Sequence, residues 1–563
     1  MKILGINFSI DSAAALLVDG EIRCSVLEER FTRKKHDSAF PTHAVNYCLD
    51  SAGLTLDDID RVAFFWNPGR HLEPSNWRLT GTPRDHMEYL YSVPSHLMRH
   101  FDGNRVERMQ QILTMRTGES LTIDFLNHHA CHAAGAYFLS NFDSAAVLTI
   151  DGYGERASTT ISRAKGNELT LLREVEYPHS IGSLYAAFTQ YLGFRANNGE
   201  GKVMGLASYG EPSYYDAIRD MITFTDEGFE LDLSYFEYTL NRPRRYSQKL
   251  VNLLGPERQR EAPLESRHQD IAASLQQVTE EAMLHLAKQA RELTGETRLC
   301  MSGGVVLNCV ANTRVLLESG FEDVYFMPAS GDGGSSLGAA LYAHYVLENS
   351  ERQNYPASDY HGPSFSDEEI ENELIKAGVQ YQQSEDIAEE AATLLADGKI
   401  LGWFQGAAEL GPRALGHRSI LADPRREDMK DILNARVKFR EGFRPFAPSV
   451  LKERCGDFFE HDLPSPYMLH VYKTREDKAD VLPAITHVDD GARVQTVDRD
   501  VSPLYWSLID AFGQKTGVPV VLNTSFNIRG EPIVNSVADA LKCFFTTDMD
   551  ALAVGSFLVL KRR

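Results

Sequence analysis

Apolar runs of strand length alternate with helical stretches along nearly the whole chain, and that alternation points to the α/β class. KILGINF, SAAALLVDG and EIRCSVLEER read as strands, with Asp19-Gly20 as a hairpin turn. Residues 41–52 read as a helix closed by Gly53, and RVAFFW as a buried strand. LTIDFLN, AAVLTI, STTISRA, LTLLREVEY, TRLCM and DVYFM continue the strand series. Helices are expected at HHACH, over 269–293, and from about 308 and 335. At 563 residues the chain is too long for one core. A Pro-, Ser- and Asn-rich stretch marks a linker at 351–364, dividing a domain of residues 1–350 from one of residues 365–563. The second is expected to open with SDEEIENELIKAG and DIAEEAATLLADGK as helices and ILGWFQG as a strand, and to end in one final strand, ALAVGSFLVLKR. No internal repeat is visible.

Net charge −22 argues against nucleic acid as the main partner. No apolar run approaches the ~20 residues of a membrane span, and the N-terminus lacks the order of a signal peptide, so a cytoplasmic protein is expected. The seven cysteines are scattered, odd in number and without CxxC, which favours reduced thiols over a disulfide framework.

HHACH, residues 128–132, is the densest ligand-type cluster. On a helix, His128 and His132 share a face while His129 turns away. The pattern is not the zinc-protease HExxH, and two imidazoles alone are weak evidence for a metal. Asp151, after the strand AAVLTI, and Asp332, after DVYFM, would both project from carboxyl ends of strands, where α/β sheets place ligands. Each alone suits a turn or cap. Together the four form an imidazole and carboxylate set suited to iron(II), manganese or zinc.

Two glycine-containing stretches could approach a phosphate or sugar, or could simply be tight turns. One is SGGVVLN, with Gly303, Gly304 and Asn308; the other is NNGEGKVMGLASYG, with Lys202. The second domain carries Arg413, Arg418, Lys438, Arg440, Arg444, Arg493 and Arg529. In so acidic a chain this clustering asks for an anion; for Arg418 and Arg440, surface ion pairs explain the charge equally well.

In sum, DSAAALLVDG, LEERFTRKKH, HHACHAA, TIDGYGE, GEGKVMGLASYG, SGGVVLN, GDGGSSLGAA, GPRALGHRS, RPFAPS, NTSFNIRGEPIV and DALAVG, in this order, resemble the carbamoyltransferases of the NodU, CmcH and TobZ type. The match is weakest around 70–120 and 210–265. The resemblance implies an N-terminal sugar-kinase/actin-like domain and a C-terminal YrdC-like α/β domain. It implies Fe2+, or another divalent metal, on His128, His132, Asp151 and Asp332. It places carbamoyl phosphate and ATP phosphates on Arg413, Lys438, Arg444, Arg493 and Arg529, with Asn523 and Glu531 in the same motif as Arg529, and matches Lys35 to a phosphate-contacting lysine. Carbamoyl adenylate would form in the second domain, and its carbamoyl group would pass to an acceptor hydroxyl at the first.

Residue 10 departs from this pattern. The family reads His-Asp before the small-residue run; this chain reads Ile10-Asp11, and isoleucine cannot take a proton. Asp11, His36 or His129 could be the base, or the acceptor could need none. The expected partner is a small-molecule acceptor, with no nucleic acid or membrane, and a homodimer stays open. An amine acceptor and a non-catalytic ATP-binding protein are the alternatives. The aromatic stretch within 210–265 is a candidate acceptor wall or an ordinary surface insertion.

Overall fold

The structure, a computed structural model, describes residues 1–68, 109–115, 117–238 and 244–561. It forms two compact units. The first comprises Met1–Ser25 and Ser38–Tyr355; the second comprises Val26–Asp37 and Pro356–Arg563. Segment 26–37 lies within the 1–350 domain expected from sequence, yet it groups with the second unit. Its side chains explain why: Arg30 donates to Gly411 O (3.0 Å), and Arg33 to Ile533 O (2.8 Å) and Pro532 O (2.9 Å).

In the first unit, β1 (Lys2–Asn7), β2 (Ala13–Val18) and β3 (Glu21–Leu27) form a meander, joined by β4 (Arg61–Phe64), β5 (Met109–Thr114) and β6 (Ser120–Phe125). The sheet order is β3-β2-β1-β4-β6-β5, with β1, β4 and β6 parallel. The residues of β1 and β2 are almost all buried, as suits strands covered on both faces. Asp19 (φ 52°) and Gly20 (φ 85°) make the turn between β2 and β3, both left-handed as a type I′ hairpin requires.

A second sheet repeats the plan. β7 (Ser144–Ile150), β8 (Ala157–Lys165) and β9 (Glu168–Glu176) form its meander. A small hairpin, β10 (Ile222–Thr225) and β11 (Gly228–Leu231), precedes β12 (Arg298–Ser302) and β13 (Asp323–Phe326). The order is β13-β12-β7-β8-β9, with β7, β12 and β13 parallel. In each sheet the first strand of a meander gains parallel neighbours on its free side, so the unit carries one sheet plan twice. The helices His128–Leu139 and Ser335–Leu341 pack together between the sheets. A Cβ on Gly338 would lie 2.0 Å from Cys131 O, so only glycine permits this approach. The Ser266–Thr294 helix buries positions 271, 275, 278, 282 and 286 along one stripe and ends at Gly295 (φ 66°).

The second unit is built on one mixed sheet. Its strands are β14 (Gln382–Gln383), β15 (Leu401–Phe404), β16 (Arg418–Ala422), β17 (Ala447–Leu451), β18 (His470–Lys473), β19 (Gly491–Val497), β20 (Val520–Ser525), β21 (Ala551–Val554) and β22 (Phe557–Leu560). The order is β14-β22-β21-β15-β16-β20-β17-β19-β18. Helices Ile387–Ala396 and Pro503–Thr516 pack over Leu401, Trp403, Leu421 and Val521 on one face. Helices Asp367–Lys376 and Val537–Phe545 pack over Phe404, Ile420 and Leu522 on the other, giving a layered α/β domain. The single final strand expected at ALAVGSFLVLKR is instead the hairpin β21–β22, because Gly555 takes φ 55° and turns the chain. No described helix is long and apolar enough to cross a membrane.

Candidate metal centre and anion site

His128 and His132 sit in the first two turns of the His128–Leu139 helix, whose N-cap Asn127 accepts from Ala130 N (2.9 Å). Asp151 follows β7, and Asp332 begins the turn before the Ser335–Leu341 helix. One ligand atom from each of these four residues lies within 4.8 Å of the others. His128 Nε2 and His132 Nε2 stand 3.1 and 3.2 Å from Asp151 Oδ2, and 3.8 and 3.6 Å from Asp332 Oδ1. Ligands on a shared ion at bonds of about 2.1 Å are separated by roughly 3.0 to 4.2 Å, so these four atoms fit one divalent cation. His132 Nε2 is buried with no well-formed hydrogen bond although two carboxylates face it, which marks a converging donor set.

The neighbouring groups aim these ligands. Ser302 Oγ donates to Ser330 O (3.3 Å) and accepts from His132 Nδ1 (3.1 Å), which leaves the Nε2 lone pair for a metal. Asp151 Oδ1 accepts from Gly152 N (2.7 Å) and Gly304 N (3.2 Å), and Oδ2 faces the histidines. Asp332 Oδ2 accepts from Ser9 Oγ (2.6 Å), leaving Oδ1 inward. Asn7, at the end of β1, donates to Asp332 O (2.6 Å) and Asp11 O (2.9 Å), so the turn carrying Asp11 is tied to the same place. Burial would lower the His132 imidazole, but Asp151 and Asp332 outweigh it and lift it to about 9. Burial opposes ionisation of Asp151 too, and the two histidines override it, holding its carboxyl well below the usual range.

His129 has another role. Its Nδ1 meets Thr149 Oγ1 (2.7 Å), and its Nε2 donates to Ala157 O (2.9 Å). Both nitrogens are used, and burial followed by the charge of His128 pulls it down to about 3. The Cys131 thiol is buried and pushed well up by desolvation.

The glycine stretches differ from their expected part. Gly304 N–H is directed at Asp151, and a Cβ on Gly303 (φ 101°) would lie 2.3 Å from Ile150 O, so this pair lets the backbone approach a metal ligand. Asn308 Oδ1 caps the following helix through Ala311 N (3.1 Å), and its amide pairs with Gln276 at 3.0 Å, so its polar groups are used within the fold. Lys202 lies on a helix, Glu200–Ala207, with its ammonium 5.5 Å from the Phe194 ring centroid.

In the second unit Lys438, Arg440 and Arg444 stand in the positive field of one another and of Arg493, Arg529 and Lys35. Burial, then Arg444 and Arg493, push the Arg440 guanidinium well down. Burial, Arg493 and Arg529 lower Arg444 against the opposing pull of Glu441. Lys438 is lowered by burial first, then by Arg440, with Arg444 and Lys35 adding to it. Glu441, 3.7 Å from Arg529, is the carboxylate that offsets this positive charge. Lys438, matched to a phosphate contact in the sequence, has its ammonium engaged within the fold. Its ammonium donates to Ser525 O (2.7 Å), Asn527 O (2.8 Å) and Asn527 Oδ1 (2.6 Å), so it fixes the Ser525–Asn527 turn instead of reaching outward. Asn523 is likewise buried, donating to Ala414 O (3.1 Å), Ser449 Oγ (3.0 Å) and Gln495 Oε1 (3.1 Å). Glu531 pairs with Lys542 at 3.0 Å. Arg418 is fully buried, donates to Gln405 O (2.6 Å) and Pro363 O (2.8 Å), and lies over Phe404.

Arg413 sits on a loop fixed at nearly every peptide group. Glu409 Oε1 accepts from Leu415 N (2.7 Å) and His417 N (3.0 Å), and Asp359 Oδ2 from Gly411 N (2.8 Å). Gln495 donates to Leu415 O (2.7 Å) and Trp403 to Gly416 O (2.8 Å). Gln495 is two residues from Arg493 on β19, so both face the same side of the sheet.

Comparison with known families decides the identity. Residues 2–341 match the carbamoyltransferase N-terminus family, and residues 392–561 the carbamoyltransferase C-terminus family. The chain belongs to the carbamoyltransferases. This carbamoyltransferase is 44% identical to an uncharacterised Synechocystis protein, over 99% of its own length and 96% of the relative's. It is 39% identical to nodulation protein NolNO of Sinorhizobium fredii, over 99% and 80%. It is 42% identical to nodulation protein NolO of Bradyrhizobium diazoefficiens, over 78% and 79%.

One residue of this carbamoyltransferase's candidate metal centre escaped the sequence reading. Glu155, 6% exposed, accepts from Asn67 N (2.7 Å), from Asn127 Nδ2 (3.2 Å) and, through both oxygens, from His128 N (3.0 and 3.2 Å). It holds the start of the histidine helix. The available signal was the last letter of TIDGYGE, an acid beyond a glycine turn.

Proposed function

We propose that this carbamoyltransferase uses ATP to activate carbamoyl phosphate and carbamoylates a hydroxyl of a small molecule in natural-product biosynthesis. Carbamoyl phosphate and water give carbamate and phosphate. Carbamate attacks the α-phosphorus of ATP, giving carbamoyl adenylate and pyrophosphate. The acceptor oxygen then attacks the carbamoyl carbon, AMP leaves, and the hydroxyl proton passes to a base.

The observation that carries this reading is the pair of desolvated cations Arg440 and Arg444 beside Arg493 and Arg529, offset by the Glu441 carboxylate. Such a group is stabilised by polyanions, and guanidinium forks match phosphate oxygens. Lys438 fixes the Ser525–Asn527 turn ahead of Arg529, and Glu409 fixes the loop that carries Arg413. In the first unit His128, His132, Asp151 and Asp332 would hold a divalent cation, Fe2+ in the reading favoured here. When bound, it supplies Lewis acidity toward the carbamoyl oxygen. The chain's own contribution is to hold the ligands in place through Ser9, Ser302, Gly304 and Glu155, and to place Asp11 in the adjoining turn as the candidate proton acceptor.

Ile10, 39% exposed, favours a second reading in which the acceptor is an amine that needs no strong base. The test is pyrophosphate release from ATP with and without carbamoyl phosphate, in Fe2+-supplied protein without acceptor. Release that depends on carbamoyl phosphate is expected. No release from folded protein would overturn the adenylation step. Hydroxyl and amine acceptor panels then separate the two readings.

A further inference from the structure

We propose that Cys24 and Cys48 are a disulfide-forming pair that closes a covalent ring around the segment Val26–Asp37. The two lie 24 positions apart and read as unrelated thiols in sequence, but the fold sets their Sγ atoms 2.6 Å apart. Cys24 is on β3 and Cys48 on the Thr42–Ser51 helix. Both are held inside the first unit, at 1% and 0% exposure, so the sulfurs face each other in a fixed setting. Little movement is needed to reach the ~2.05 Å of a bond.

Their position in the chain gives the bond a purpose. Residues 26–37 leave the first unit immediately after Cys24 and Ser25, and they belong to the second. Arg30 and Arg33 anchor that excursion on Gly411, Pro532 and Ile533, and Lys35 adds to the positive charge around Lys438. A Cys24–Cys48 bond therefore ties the outgoing and returning stems of the segment that brings Lys35 to the anion site.

The oxidant is a small-molecule disulfide of the glutathione class. One cysteine thiolate attacks it, releasing a thiolate and leaving a mixed disulfide. The second cysteine sulfur attacks the mixed disulfide at the first cysteine's sulfur and expels the other half. Two protons pass to the two released thiols, so two electrons leave the protein and reduce one disulfide. Burial and the Cys24 thiol keep Cys48 protonated, so exchange runs through opening of the helix and is slow.

The full-length wild type is reduced, exchanged into oxidised glutathione, alkylated and digested with trypsin. Cleavage after Arg23, Arg30, Lys35 and Arg61 puts Cys24 in peptide 24–30 and Cys48 in peptide 36–61. The expected result is one linked species of these two peptides, lighter than their sum by two hydrogens and abolished by dithiothreitol. The oxidised protein should melt about 5 °C above the reduced form, as a ring of this size predicts, and Cys48→Ser should remove that difference. Recovery of both peptides singly alkylated or singly glutathionylated after prolonged oxidation would overturn the proposal. The mapping uses the wild type, so a poorly folding variant does not affect it.

Discussion

Replacing Glu155 with Gln tests how the histidine helix is aimed. The native carboxylate takes the His128 N–H in both oxygens, the Asn67 N–H and the Asn127 amide. Glutamine keeps one acceptor oxygen and turns an NH2 toward backbone donors. Hydrogen bonds to a charged group contribute about 1.5–3 kcal/mol against about 0.5–1.5 for neutral ones, and a buried donor left unpaired costs about 1–3 kcal/mol. Losing one charged bond and opposing one donor therefore costs roughly 2.5–6 kcal/mol, concentrated at the first turn of the helix that carries His128 and His132. Because no ligand is removed, the helix remains and its start loosens. Metal affinity should fall by about 10- to 100-fold, as for other groups that orient ligands. The assay is competition for Fe2+ or Zn2+ against a chromophoric chelator, with circular dichroism as the check on folding. A folded Glu155→Gln protein that binds metal within twofold of wild type would refute the argument.

Other outcomes follow from the same geometry. Asp332→Asn and His132→Ala should each lower the bound metal far below one equivalent by elemental analysis without unfolding the second unit, whose tryptophans Trp403 and Trp506 report on it. Arg444→Ala should raise the KM for carbamoyl phosphate by about 10- to 100-fold in pyrophosphate-release assays, the loss of one charged phosphate contact. Asp359 is buried, and desolvation followed by the charge of Glu409 lifts it to about 8 from 3.8. It is neutral when folded and ionised when unfolded between those values, so stability should fall as pH rises from about 4 to about 8, by up to ~1.4 kcal/mol per unit. Asp359→Asn should flatten that slope in urea midpoints measured across the range. Ile10→His should leave pyrophosphate release unchanged; a much faster turnover with hydroxyl acceptors would show that the native chain lacks a needed base.

The candidate metal ligands were legible because each follows a local rule. Two histidines a helical turn apart share a face, and two aspartates lie in turns that follow strands of one parallel set. Glu155 was not, because its partners Asn67 and His128 lie far away in sequence and only the fold makes it a cap. Gly303-Gly304 looked like a phosphate loop because the same backbone geometry that meets a phosphate here meets the Asp151 carboxylate. Lys438 read as an anion contact from its basic neighbours, and the Ser525–Asn527 turn that occupies its ammonium is supplied by β20. The duplicated sheets left no visible repeat because KILGIN and SAAVLTI need only be apolar and strand-forming to play equivalent parts, and the insertions between strands differ in length.

The excursion of Val26–Asp37 also sets an order of events on the ribosome. Asp37 emerges 319 residues before Pro356 (356 minus 37), the start of the polypeptide it docks onto. At about 5–20 residues per second, Arg30 waits roughly 20–75 s for Gly411 and Arg33 roughly 25–100 s for Pro532 and Ile533. The first unit can fold around its stems in that interval, but the second cannot be completed from its carboxyl-terminal residues alone. A fragment starting at Pro356 would leave the acceptors at Gly411, Pro532 and Ile533 open, so it should be rescued by adding a peptide of residues 26–37 in trans.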